Sequence, residues 1–186
     1  MTTIIGIAGS LRKQSYNAAL LRAAAELVPA GCTVEIGSIK SIPLYDGDLE
    51  ANDGIPASVA ELKDRISKAD GLLLVTPEYN NSLPGVLKNA IDWLSRPPGD
   101  IARVFRNRPV AIMGATPGAV GTRLAQTAWL PIFRTLGMRP WFGSQLYVGG
   151  ASKVIDESGK LVDEDIRERL QKYISSFAEF IEDHRP

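Results

Sequence analysis

The residues from Thr76 to Pro84 bring together side chains that suit binding better than catalysis. They include one carboxylate, one phenol and two amides flanked by Pro77 and Pro84, and they contain no Lys, His or Cys. A general base or an activated nucleophile is therefore hard to find in this segment. Amide groups on a backbone stiffened by two prolines are suited to holding a flat heterocycle that forms hydrogen bonds. We predict a binding loop for such a ring.

Residues 9–17 form a second candidate loop with different chemistry. They follow a β-branched apolar run and lead into a helical pattern, and such a turn is an anion site because unpaired N–H groups and the helix dipole favour a phosphate. Ser10, Ser15 and Asn17 can add hydrogen bonds, and the planar guanidinium of Arg12 suits a phosphate monoester. The alternative is an ordinary capped loop without a ligand, since Ser and Asn cap helices in any case.

The second loop lacks the motifs of other nucleotide sites. It contains no G-x-x-x-x-G-K-[ST] pattern, which argues against a nucleotide triphosphatase. Gly9 is its only glycine, whereas the dinucleotide fingerprint requires three, so a pyrophosphate lying against bare backbone is disfavoured.

The elements that must position these loops alternate between apolar strand runs and helical periodicity, which is typical of a doubly wound parallel sheet. Ligands of such sheets bind beyond the carboxyl ends of the strands, where both loops lie. The segment between the second strand and Pro56 is predicted to be a loop, and Pro131 is predicted to kink the fourth helix. The predicted strands cover residues 3–8, 33–39, 71–75 and 109–115 and part of 138–148. The predicted helices begin near residues 18, 56, 85 and 123, and the last covers 163–183.

Composition limits the classes of function. A chain of 186 residues fits one domain, and 21 basic against 21 acidic residues give no support to a nucleic-acid or membrane partner. The single cysteine, Cys32, excludes an internal disulfide and is compatible with a reducing compartment. The only histidine, His184, is read as solvated, and no metal site is expected. Without a signal-peptide pattern or a long apolar run, a cytoplasmic location is expected.

Residues 9–17, 76–93 and 114–123 resemble the NAD(P)H-dependent FMN reductase family of the flavodoxin-like fold. The bacterial quinone and chromate reductases are the branch that the chain resembles most. The string of residues 76–93 is the most specific part of the likeness, which extends along nearly the whole chain. The resemblance implies a single FMN-binding domain over residues 1–186. It also implies a three-layer α/β/α sandwich with a five-stranded parallel sheet in the order 2-1-3-4-5.

The resemblance also implies which residues contact the ligands. No side chain is expected to be catalytic, because the flavin N5 carries the chemistry. Contacts to substrates are implied for Arg96, Asn80 and Thr116, with Arg96 near the phosphates of NAD(P)H or an oxyanion such as chromate. Non-covalent binding of FMN is implied for Ser10, Arg12, Ser15, Tyr16, Asn17, Pro77, Glu78, Tyr79, Asn80, Ser82, Gly114 and Ala115.

The activity that follows from the resemblance is a two-electron oxidoreduction. NAD(P)H would reduce the flavin, and the flavin would then reduce a quinone, chromate, an azo or nitro compound, or free flavin by ping-pong kinetics, in a homodimer or homotetramer. A flavodoxin-type electron carrier is the alternative, although such carriers are typically strongly acidic and this chain has no net charge. A cofactor-free receiver-like module would require acidic residues at the end of the first strand, where Ala8, Gly9 and Ser10 stand.

Several residues keep two interpretations. Arg96 could bind anionic substrates or interact with the dipole at the end of the third helix. Glu78 could line the flavin site or act as a helix-dipole partner, and Trp93 is expected to pack in the core or at a subunit interface. Thr122 follows Gly121 where relatives often have a second glycine, so this loop is expected to be stiffer or differently turned. The preference between NADH and NADPH stays open.

Overall fold

The computed structural model describes residues 1–184, in which a parallel sheet separates two hydrophobic cores. The strand order is β2-β1-β3-β4-β5, and β6 also pairs with β4. The predicted doubly wound order is confirmed, with the fifth position filled by two short strands. The strands are β1 Thr2–Ala8, β2 Cys32–Gly37, β3 Gly71–Val75, β4 Pro109–Ala115, β5 Arg139–Pro140 and β6 Tyr147–Val148.

Helices cover both faces of this sheet. One core contains buried residues of α1 and α9, and the other contains buried residues of α3 and α4. Strand β3 is buried along its whole length, which explains why its sequence is continuously apolar rather than alternating. The helices are α1 Tyr16–Glu26, α2 Gly47–Asp53, α3 Ala57–Lys68, α4 Gly85–Leu94, α5 Ile101–Val104, α6 Arg123–Ala128, α7 Leu130–Thr135, α8 Ala151–Val154 and α9 Glu164–Asp183.

The fifth strand is split because its middle turns into the core. Trp141 donates its backbone N–H to the Val110 carbonyl at 2.8 Å, and its indole packs edge-on against Tyr173 with the ring centroids 4.9 Å apart. The chain then leaves the sheet and returns at Tyr147 to pair with Gly114. Burial of this aromatic cluster therefore interrupts the strand without changing the topology.

One prediction about the helices is wrong and one is confirmed. The segment before Pro56, predicted as a loop, contains α2, whose first turn is capped by Asp46 through a 2.8 Å bond from the Asp48 N–H. The fourth predicted helix is two helices, α6 and α7, separated at Trp129. Pro131 lies in the first turn of α7. Proline has no backbone N–H, but an N–H at this position would have no acceptor within the helix, so the proline is tolerated there. The predicted interruption at this proline is thus confirmed.

Candidate functional site

Three loops meet at the carboxyl ends of β1, β3 and β4. Gly9 allows the first two to approach closely, since a Cβ on this residue would lie 2.8 Å from Leu87 Cδ2 and 3.0 Å from Pro77 Cδ. The loops enclose a cavity of about 80 Å³. It is lined by Ser10, Arg12, Ser15, Tyr16, Asn17, Pro77, Glu78, Tyr79, Ala115, Thr116 and Pro117.

The structure therefore brings together most of the residues that the sequence pointed to. Asn80, Ser82 and Gly114 do not line this cavity. Pro117 was not among the residues named individually, but it belongs to the segment 114–118, which the resemblance implies is the third loop beside the flavin.

The first loop presents hydrogen-bond donors toward the cavity. Ser15 caps α1 by accepting from the Ala18 N–H at 3.2 Å, which leaves its hydroxyl hydrogen available. The N–H groups of Tyr16 and Asn17 begin the helix and have no intrahelical acceptor. The guanidinium of Arg12 is exposed and forms no ion pair with any of residues 1–184. This concentration of free donors fits an anion.

Asn17 has a structural role that the sequence did not reveal. Its side-chain amide donates to the Ala115 carbonyl and accepts from the Ala115 N–H, both at 2.9 Å, and the residue is buried. The amide therefore ties the start of α1 to the end of β4. The prediction that Asn17 contacts a phosphate stays a prediction, because only one of the two amide hydrogens donates to Ala115 and the backbone N–H has no intrahelical acceptor.

The second loop contains a tight hairpin. Tyr79 and Ser82 exchange backbone hydrogen bonds of 3.1 and 3.0 Å. Asn80 and Asn81 lie between them with φ of 50° and 60°, as a type I′ turn requires. Asn tolerates this left-handed conformation better than most residues. Asn80 and Ser82 thus belong to an exposed hairpin beside the cavity, and Tyr79 is 45% exposed.

Glu78 connects the second loop to the third. Its Oε2 accepts from the N–H groups of Leu124 and Ala125 at 2.9 and 3.0 Å, so its carboxylate caps α6 from another part of the chain. Thr122, at the N-cap position of α6, forms no side-chain cap. The helix-dipole interpretation of Glu78 is therefore the one that its side-chain contacts favour.

Gly114 allows close packing because it has no side chain. A Cβ here would lie 2.1 Å from the Thr76 carbonyl oxygen and 2.3 Å from Thr122 Oγ1. Thr122 is buried, and its Oγ1 accepts from the Gln126 side-chain amide at 3.0 Å. Thr122 therefore occupies the space above Gly114, which gives this glycine a packing role, and its predicted flavin contact stays a prediction.

Arg96 does not line this cavity. Helix α4 has 10 residues, which places Arg96 roughly 15 Å along the axis from the end of the second loop. Its Nε donates to Glu50 Oε2 at 2.8 Å, and Glu50 also accepts from the Tyr45 hydroxyl. The hydrogen bond from Arg96 holds the pKa of Glu50 below its usual range. Neither interpretation of Arg96 from the sequence anticipated this ion pair.

The size of the cavity decides which part of FMN it could hold. A cavity of about 80 Å³ can take a phosphate group but not a three-ring heterocycle. The ring would lie outside it, along the rigid surface of Pro77 and Tyr79. Among residues 1–184, no group of His, Cys, Asp and Glu could hold a metal ion, and no helix is long and apolar enough to cross a membrane.

Comparison with known proteins gives matches along the whole chain. The sequence profile described as NADPH-dependent FMN reductase matches residues 2–153. The NAD(P)H-dependent FMN reductase PA1204 of Pseudomonas aeruginosa is 42% identical over 93% of this chain and 91% of its own length. The 2-hydroxy-1,4-benzoquinone reductase of a Burkholderia species is 38% identical, with 96% of both chains covered. The structure of the Paracoccus denitrificans flavoenzyme FerB, an NAD(P)H:(acceptor) oxidoreductase, superposes with a TM-score of 0.87 at 34% identity and covers 99% of both chains.

Proposed function

The chain belongs to the NADPH-dependent FMN reductase family, and on that premise we propose that it reduces quinones with electrons from NAD(P)H through bound FMN. The observation that carries this proposal is the meeting of three loops that together offer phosphate donors and a rigid platform. Catalytic acid–base groups are not needed there, because FMN, when bound, supplies the two-electron chemistry. The names of the Burkholderia and Escherichia coli relatives, both quinone reductases, favour a quinone as acceptor.

We assign the phosphate to the side chains of Ser10, Arg12 and Ser15 and to the N–H groups of Tyr16 and Asn17. These residues line one cavity. The support for Ser15 is its uncommitted hydroxyl hydrogen, and the support for Arg12 is its lack of an ion-pair partner in the described chain. A guanidinium can bind two phosphate oxygens at once, which adds geometric specificity.

We assign the ring to the second loop, from Pro77 to Asn80, with Ala115 and Thr116 on its flank. These residues would hold the ring so that one of its faces is open to solvent. Pro77 is buried and the hairpin at Asn80 is hydrogen-bonded internally, so little ordering entropy is lost on binding.

Electron donor and acceptor would use the same open face in turn, which predicts ping-pong kinetics. We propose that Asn80, at the tip of the hairpin, and Thr116, beyond β4, contact the acceptor. An open face also admits chromate, azo and nitro compounds and free flavin, and we propose these as further acceptors.

We propose that the working unit is a homodimer or homotetramer in the cytoplasm. Exposed apolar side chains support a subunit contact, since Val120 and Phe142 are each 66% exposed and Leu124 is 49% exposed. We propose that in such an assembly Arg96 lies near the pocket of a neighbouring subunit, where its guanidinium would attract an anionic substrate.

A visible spectrum of the purified protein tests the proposal. Bound flavin should bleach when NADPH or NADH is added without oxygen, and a quinone should restore its colour. A flavin that dithionite reduces but both nicotinamides leave oxidised would instead identify an electron carrier.

A further inference from the structure

A large cleft lies beside the candidate FMN site and has no role in the function proposed above. It has a volume of about 740 Å³, within the range of small-molecule sites. Its walls are the first loop, helix α1 and residues 152–162. Arg12, Ser15 and Tyr16 line both this cleft and the smaller phosphate cavity, so the two lie side by side. A ligand that reaches the flavin could therefore extend into the cleft.

The cleft is basic although the protein as a whole is neutral. Besides Arg12 it is lined by Lys13, Arg22 and Lys153, and none of these forms an ion pair with any residue from 1 to 184. Arg22 donates only from Nη2, to the Gly159 carbonyl at 3.3 Å, so the rest of its guanidinium is free. Cations that gather without partners in one concavity indicate an anionic ligand.

The two acidic residues of the cleft, Asp156 and Glu157, do not cancel this charge. Asp156 Oδ1 accepts from the Ser158 hydroxyl at 2.6 Å and from the Lys160 N–H at 3.0 Å. The hydrogen bond from Ser158 lowers the pKa of Asp156. Asp156 therefore stays ionised while it holds the 156–160 turn, and the cleft still has four cationic side chains against two acidic ones.

The chemistry of the reactants selects one ligand for the cleft. Quinones carry no phosphate, and the phosphate of FMN is assigned to the smaller cavity. A reduced nicotinamide dinucleotide carries phosphates far from its reacting ring, and NADPH differs from NADH by a phosphate monoester on the 2′-hydroxyl of adenosine. Ile155 and Val162 give the cleft an apolar part against which a base can lie.

We propose that this cleft binds the adenosine half of the dinucleotide and that Arg22 and Lys153 bind its 2′-phosphate, so that the chain prefers NADPH to NADH. This inference rests on the proposed function, which supplies the nicotinamide substrate. A dianionic phosphate between a guanidinium and an ammonium gains charge-assisted hydrogen bonds that NADH cannot form.

Binding can be measured without turnover. Calorimetric titration of the FMN-loaded protein with adenosine 2′,5′-bisphosphate and with 5′-AMP should give tighter binding of the bisphosphate, by roughly 10–100-fold. The double variant Arg22→Ala/Lys153→Ala should lose most of that difference. The control Lys68→Ala/Arg169→Ala removes the same two residue types from exposed positions on α3 and α9 and should keep it.

Steady-state kinetics give the second readout. In the Arg22→Ala/Lys153→Ala variant, the ratio of kcat/KM for NADPH to that for NADH should fall by roughly 10–100-fold, mainly through the KM for NADPH. An unchanged ratio, a wild-type protein that does not discriminate, or equal binding of the two adenosine probes would overturn the inference while leaving the proposed function intact. If neither nicotinamide reduces the flavin, the proposed function fails, and the assignment of the cleft to a dinucleotide substrate fails with it.

Discussion

The two loops of the candidate site are built in opposite ways. Residues 9–17 have few internal bonds and leave N–H groups, a hydroxyl hydrogen and a guanidinium available. Residues 76–84 close a hairpin on themselves and fasten Glu78 to α6. The first loop therefore depends on its ligand for partners, whereas the second is ordered beforehand. Changes in the first should alter FMN affinity, and changes in the second should alter the stability of the protein.

Arg12→Ala should have the largest effect. Loss of a bidentate, charge-assisted contact to phosphate should weaken FMN binding by about 1.5–3 kcal/mol, while the unfolding free energy of the FMN-free protein stays nearly unchanged. Flavin fluorescence quenching measures the affinity, and urea unfolding measures the stability. Arg169→Ala, on the surface of α9, is the matched control. Wild-type affinity in the Arg12 variant would mean that this residue does not bind the phosphate.

Asn80→Val tests the hairpin with a smaller expected effect. A β-branched residue at a φ of 50° should cost about 1–2 kcal/mol of unfolding free energy. Asn80→Gly removes the same amide but accepts this conformation, so it should be more stable than the valine variant. If the two variants unfold at the same urea concentration, the strain argument is wrong.

Glu78→Ala tests the cap between the loops. Removing an acceptor for two N–H groups of α6 should cost about 0.5–2 kcal/mol of unfolding free energy. Glu78→Gln keeps one oxygen acceptor and should lose less. Glu179→Ala removes an exposed carboxylate from α9 and serves as the control. Equal stability of wild type and Glu78→Ala would show that the cap contributes nothing.

Arg96→Ala should have the smallest effect on stability, and one that depends on pH. Because Arg96 lowers the pKa of Glu50, the pair stabilises the folded protein above the ordinary pKa of a glutamate, and this contribution is lost as the pH falls through the lowered pKa. The difference in unfolding free energy between wild type and variant should therefore shrink in acid. A raised KM for chromate that high salt abolishes would additionally place Arg96 at a neighbouring subunit's pocket.

Local sequence patterns predicted much of the fold. Apolar runs bounded by turn residues predicted strands β1, β3 and β4, and helical periodicity predicted the buried faces of α1 and α9. These predictions were possible because each pattern lies within a single element. The two binding loops could be predicted because each comes directly after a predicted strand and has an unusual composition. Helix α2 was missed because its residues are polar and none is buried, so no apolar stripe marks it.

Contacts between distant parts of the chain could not be predicted. Asn17 bonds to Ala115, 98 positions away, and Glu78 bonds to Leu124, 46 positions away. In both cases the sequence motif suggested that the polar side chain binds a ligand. In the folded protein, the backbone of a distant segment forms hydrogen bonds with that side chain. The ion pair between Arg96 and Glu50 was missed for the same reason, since it depends on how α2 packs beside the end of α4.

The most direct test of the difference between the loops compares FMN with riboflavin, which has the same ring but no phosphate. FMN-free wild-type protein should bind FMN at least about 10-fold more tightly than riboflavin, and Arg12→Ala should remove most of that advantage without weakening riboflavin binding. Equal affinities of the wild-type protein for the two flavins would contradict the assignment of residues 9–17 to the phosphate.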